Sequence, residues 1–167
     1  MHPIISLVFA HDAVLAQAAK TIDGALVFSV LLRVLHISSA VILVGGIFYQ
    51  RTILAGSGEQ SGTEEQRSLW GRWVGVATFL LLGTGLYNFI TMVQQAKAAG
   101  NPLPSTYHAL FGIKFLLALV VMFLAAILAG KTETAEKFRQ NQRKWLNVAW
   151  MASLAIIVLA AVLRALH

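Results

Sequence analysis

Four stretches of this chain are long and apolar enough to cross a bilayer, and that constrains the fold more than any other feature. They run over about residues 25–51, 68–95, 105–130 and 142–165. A transmembrane helix needs about 20 predominantly apolar residues. None of the four alternates with period two, so each reads as a helix and not as a strand. Composition agrees: 57% of the 167 residues are hydrophobic and only 12% are charged. An ordinary globular domain is about a quarter charged. Mean hydropathy is +0.72. A water-soluble enzyme or a DNA-binding module is thereby excluded. The formal net charge of +6 sits in short connections between apolar runs, which a membrane accounts for without a nucleic-acid partner.

The connections predict how the spans are arranged. Gly56-Ser57-Gly58-Glu59-Gln60-Ser61-Gly62 is a flexible loop composition, and Gly100-Asn101-Pro102-Leu103-Pro104 is a strong breaker with Ser105 or Thr106 placed to cap the next helix. The charged third connection, residues 131–144, is expected to extend its flanking helices into water. Short loops favour an up-down-up-down antiparallel four-helix bundle, an all-α integral membrane fold. Arg51, Arg67, Arg72, Lys131, Lys137, Arg139, Arg143 and Lys144 flank the first and third connections, against Lys20, Lys97 and Arg164 on the other side. The positive-inside rule then places both termini outside a bacterial inner (plasma) membrane, as a multi-pass protein in contact with the lipid bilayer. Trp70, Trp73, Trp145 and Trp150 fall at the inner helix ends, where an aromatic belt is expected. Residues 1–22 carry Ala16-Gln17-Ala18, which resembles a signal-peptide cleavage site, but have no basic leader, and the apolar core before His11 is only seven residues, Ile4 to Ala10. They are read as an amphipathic interfacial helix, and residues 23–167 as the four-helix domain.

Ionisable groups inside a span are costly and mark functional sites by default. The first span holds Arg33 and His36, and the third holds His108 and Lys114. Tyr87 and Asn88 lie towards the outer end of the second span and Arg164 at that of the fourth. All fall in the outer half. A neutral imidazole within a span serves as a ligand, a proton carrier or a quinone contact, which makes His36 the leading candidate. Arg33, three residues before it, faces the same side and either snorkels to the interface or holds an anionic group such as a haem propionate. His36 is 15 residues from Arg51, roughly 22 Å at 1.5 Å per residue. His108 lies roughly 34 Å from Lys131 and Lys114 roughly 26 Å, so Lys114 is level with His36. A planar cofactor held between the first and third helices would have His36 as one axial ligand, with His108, Lys114 or an open position opposite. Gly45, Gly46, Gly83, Gly85 and Gly112 are expected to permit close helix packing, Gly112 also making room for a flat ring. Tyr87 and Asn88 are placed to hydrogen-bond a carbonyl, such as that of a quinone. The absence of cysteine excludes disulfides, thiolate metal sites, iron–sulfur clusters and covalent haem attachment.

Arg33-x-x-His36 followed by Gly45-Gly46-Ile47-Phe48-Tyr49-Gln50-Arg51 resembles the first helix of the small bacterial membrane protoporphyrinogen IX oxidases and of the related copper-resistance D-type membrane domains. Leu82-Gly83-Thr84-Gly85-Leu86-Tyr87, Lys114 with its Leu-rich run, and residues 139–147 resemble later parts of the same proteins. The resemblance implies a four-helix fold and one b-type haem, with His36 as the first-helix histidine and Lys114 as the third-helix lysine. The expectation is a membrane redox protein with one haem b in the outer half of the bundle, oxidising a porphyrin-like substrate or exchanging electrons with quinone. The metal ligands in that reading are His36 and His108. Lys114 and Arg33 act on the substrate, and Arg33, Arg164, Tyr87 and Asn88 surround the cofactor. Two alternatives stay open. One is a copper-handling protein that uses His2, His11, His108 and His167, and the other is a cofactor-free partner-binding subunit.

Overall fold

The structure, a computed structural model, describes residues 24–54 and 63–165. The interfacial helix expected over residues 1–22 and the Gly56–Gly62 loop lie outside the described residues. The rest form five α-helices and no strand: α1 (Gly24–Tyr49), α2 (Glu64–Ala98), α3 (Ser105–Ala129), α4 (Glu133–Gln140) and α5 (Gln142–Ala165), with a π-helical turn at Gln50–Leu54 prolonging α1. Four of the five are long and apolar enough to span a membrane. The 35 residues of α2 span roughly 52 Å at 1.5 Å per residue, so its ends extend beyond a hydrocarbon core of about 30 Å.

The helix ends are where the sequence reading needs correcting. A capping box starts α2: the Thr63 hydroxyl accepts from Gln66 N–H at 3.3 Å while the Gln66 side chain accepts from Thr63 N–H at 3.1 Å. Neither Ser105 nor Thr106 caps α3. Extended Pro104 occupies the cap without a side-chain bond, and its carbonyl takes Tyr107 N–H at 2.9 Å. The third connection does not simply prolong its neighbours. Extended Gly130 ends α3, and Thr132 caps the separate helix α4 by accepting from Ala135 N–H. Buried Arg139 then donates to the Gly130 carbonyl and to Glu136, fastening α4 beneath the end of α3. Hydrogen-bond geometry at one glycine thus overrides the helix propensity of the charged segment.

Side-chain contacts fix the antiparallel register. Between α1 and α2, Gly46 meets Trp70, His36 meets Thr84 and Phe28 meets Tyr87. Between α2 and α3, the Tyr107 hydroxyl donates to Met92 Sδ at 3.3 Å and Phe89 stacks on Phe111 at 3.8 Å. Between α1 and α5, Phe48 packs on Trp150 and Arg51 donates to Asn147 at 2.6 Å. The ends of α1 and α3 and the starts of α2 and α5 therefore meet at one end, the basic end, as the lysine and arginine count predicts. The bundle is an up-down-up-down ring in which α1 and α3 are diagonal, with the tightest packing inside the pairs α1/α2 and α3/α5.

The core is lopsided. Its buried members are Ser39, Leu43 and Ile47 of α1, Val74, Ala77, Leu81 and Thr84 of α2, residues from Val121 to Ala129 of α3, and Leu146, Ala149 and Ser153 of α5. All lie towards the basic end or at mid-depth. In the far half no described side chain is buried over residues 26–38 of α1, 85–95 of α2 or 108–120 of α3. Ala96, Tyr107 and Leu163 are the buried residues beyond that layer. The far half has few buried side chains and is open in that sense alone, since Phe28 on Tyr87 and Phe89 on Phe111 still join neighbouring helices there.

Candidate functional site: a histidine in the open half of the bundle

His36 stands where the packed half gives way to the open one. Its Nδ1 lies 2.8 Å from the Thr84 hydroxyl oxygen. That hydroxyl donates its own proton one turn back, to the Leu80 carbonyl at 2.5 Å, so its oxygen accepts from His36. With hydrogen on Nδ1, the lone pair of the neutral imidazole resides on Nε2. Fixing a tautomer through the other ring nitrogen is how proteins prepare a histidine as a metal ligand. The ring approaches α2 closely because residue 85 is glycine: a Cβ there would stand 3.1 Å from His36 Cε1.

The other candidates are placed unequally. Lys114 is half-buried, and the α1–α2 and α2–α3 contacts set it at about the depth of His36, as helix counting predicts. His108 is exposed near the far rim, edge-on to Phe89 and Tyr107 at ring separations of 6.0 and 6.4 Å. Its ring contacts are these two and not His36. Arg33 is exposed one turn outward from His36, and the α1–α5 register brings the exposed Arg164 to the same level. Tyr87 is exposed and makes an edge contact with Phe28, while half-buried Asn88 gives its backbone carbonyl to the Thr91 hydroxyl at 3.1 Å. Every acidic side chain among the described residues (Glu64, Glu65, Glu133 and Glu136) sits at the basic end.

The glycines divide by role. Gly46 is a close-packing site, because a Cβ there would run into the Trp70 indole. Gly45, Gly83 and Gly112 have open space where a Cβ would point, so close packing is not their use. Thr84 is the residue that sequence reasoning missed. Its only signal is a hydroxyl between two glycines, Gly83-Thr84-Gly85, in an otherwise apolar run.

No cluster of three or more metal-ligating side chains occurs among the described residues. His2, His11 and His167, on which the copper reading draws, lie outside them. The arrangement at His36 suits a single imidazole ligand to an anionic group. The histidine has a fixed tautomer, and Arg33 and Arg164 stand one turn above. Compared with known proteins, the chain matches no family model, no curated sequence and no solved structure.

Proposed function

We propose that this protein is a membrane redox protein that holds one b-type haem in the open half of its bundle, where His36 would bind the iron. The observation that carries the reading is the His36–Thr84–Leu80 hydrogen-bond chain, which leaves the Nε2 lone pair for a metal beside a layer without buried side chains. A bound haem supplies one-electron exchange between two iron valences. The chain's own residues do the rest. Thr84 orients His36, Arg33 and Arg164 balance acidic substituents at the rim, and Gly112 leaves space for a ring edge. Lys114 has no acidic partner among the described residues and holds a negatively charged or carbonyl group of a porphyrin-like or quinone partner. In a bacterial inner membrane the basic end faces the cytoplasm, and cysteines placed at Ser57 and Asn101 should then label from opposite sides, Ser57 from within.

The test is spectroscopic. Wild-type protein purified with haem supplied should show a Soret band, and His36→Ala should lose it while keeping its helicity and membrane insertion. A full Soret band in His36→Ala would show that the imidazole is a packed polar group and end the haem reading.

A further inference from the structure

The basic end contains a second feature that the His36 site does not use. A cavity of about 250 Å³ lies where the end of α1 and its π-helical turn meet the starts of α2 and α5. Tyr49, Trp70 and Trp73 give it an apolar wall, and Arg67, Gln66 and Gln142 give it a polar one. Two of these polar groups are unsatisfied. Gln142 is nine-tenths buried, and its Oε1 has no hydrogen-bond partner; the buried Nε of Arg67 has none either. Native proteins rarely leave buried donors and acceptors unpaired. Orphaned atoms on two side chains that line one cavity call for a ligand toward which those side chains turn, one that accepts from the Arg67 Nε–H and donates to Gln142 Oε1.

Charge narrows the choice. Arg67 is in electrostatic range of Glu64 and Glu136, but Glu64 pairs with Lys131 at 3.0 Å and Glu136 with Arg139. Both carboxylates are already countered. The Arg67 guanidinium is therefore the charge that favours an anion in the cavity. A phosphodiester oxygen takes the Arg67 Nε–H, and a neighbouring hydroxyl or ammonium donates to Gln142 Oε1. Rotating the Gln142 amide by half a turn would present N–H instead, which a second phosphate oxygen accepts. Depth narrows it further. The cavity is level with Trp70 and Trp73, the aromatic belt that marks the headgroup layer of a bilayer, and the π-helical turn opens the α1 backbone beside it.

We infer that the Arg67–Gln142 cavity is a binding site for the headgroup of a phospholipid from the leaflet at the basic end, with the phosphate on Arg67, the headgroup hydroxyl or ammonium on Gln142 and the glycerol backbone against Trp70. The site is distinct from the His36 site and stands or falls without it.

The experiment uses the full-length protein in mild detergent. Native mass spectrometry should find one phospholipid retained per chain. After delipidation, short-chain phosphatidylglycerol should quench or shift tryptophan emission saturably. Diacylglycerol of the same chain length, lacking phosphate, should not. Arg67→Met and Gln142→Leu should each weaken phosphatidylglycerol binding by about tenfold, the loss of one charge-assisted or buried hydrogen bond. Arg72→Met, an exposed cation beyond the cavity wall, should leave it unchanged. Gln142→Leu removes an orphaned acceptor, so it should remain folded, and circular dichroism checks both variants. No retained lipid and no saturable binding by the wild type would overturn the inference, as would equal losses in Arg67→Met and Arg72→Met. Glycerol 3-phosphate binding as tightly as phosphatidylglycerol would also overturn it, in favour of a soluble phosphate ester.

Discussion

Replacing Thr84 by valine removes a single oxygen and keeps the shape of the side chain. The Leu80 carbonyl that loses the hydroxyl stays within the helical ladder, so the main casualty is His36 Nδ1–H, whose acceptor at 2.8 Å disappears. Hydrogen bonds between membrane helices contribute about 0.6 kcal/mol on average and up to about 1.7 kcal/mol. His36 is half-buried, so Thr84→Val should destabilise the α1–α2 contact by about 0.5–1.5 kcal/mol. The effect on a ligand is larger, because a second partner that orients a metal-binding histidine is worth about 10- to 100-fold in affinity. Haem titration followed at the Soret band should therefore show Thr84→Val binding at least tenfold more weakly than wild type. Thr84→Ser, which keeps the oxygen, should bind almost normally. Thr91→Val is the control, since the Thr91 hydroxyl reaches only the Tyr87 and Asn88 carbonyls of its own helix. Equal haem affinity in wild type and Thr84→Val would refute the claim that this bond prepares His36, and so would Thr84→Ser failing as badly as valine.

Three further outcomes follow from features described above. Gly46→Ala should destabilise the bundle by about 1–3 kcal/mol through overlap with Trp70, whereas Gly45→Ala, facing open space, should gain about 0.5–1 kcal/mol; thermal unfolding in detergent distinguishes them. Lys114→Met should shift the haem spectrum or potential, with His108→Ala changing little, because Lys114 and not His108 lies at about the depth of His36; the reverse pattern would make His108 the second ligand. At Glu136, the hydrogen bond and charge of Arg139 hold the carboxyl below its ordinary value of 4.5. A depressed folded-state value stabilises the fold above the ordinary value and loses that stabilisation as pH falls through the depressed one. Glu136→Gln should accordingly flatten the acid side of the unfolding-midpoint profile, and an unchanged profile would show that the pair contributes nothing.

The spans were legible because burial in lipid demands only length and apolarity, which residues 105–129 or 142–165 display without any partner. The shared depth of His36 and Lys114 was legible too, since rise per residue converts sequence distance into height. What the sequence hid depends on rotation about helix axes and on contacts between helices. Gly46 and Gly45 are adjacent and chemically identical, yet only one faces Trp70. Thr84 gained meaning only when α2 was set against α1 in register. The Arg67–Gln142 cavity combines residues 75 positions apart, and neither has a distinctive neighbourhood. Helix α4 depended on an extended glycine and on Arg139 folding back to it, a local competition that hydropathy does not register.

On the proposed reading, the sparsely buried far half changes which phase would supply the ligand. The contacts between α1 and α5 lie near the basic end, and further along no residue from 26 to 38 is buried, so a haem at His36 would arrive from hydrocarbon as well as from water. A molecule that takes this route is concentrated by partition before it meets the protein. Each methylene transferred from water contributes about 0.8 kcal/mol, so roughly two methylenes raise its local concentration tenfold. Occupancy then follows moles of ligand per mole of lipid, and diluting the sample with buffer changes it far less than adding empty vesicles. On the proposed reading selectivity would be shared accordingly: the bilayer selects for greasiness, and the His36 site would have only to choose, among greasy molecules, those with a flat face and an anionic edge.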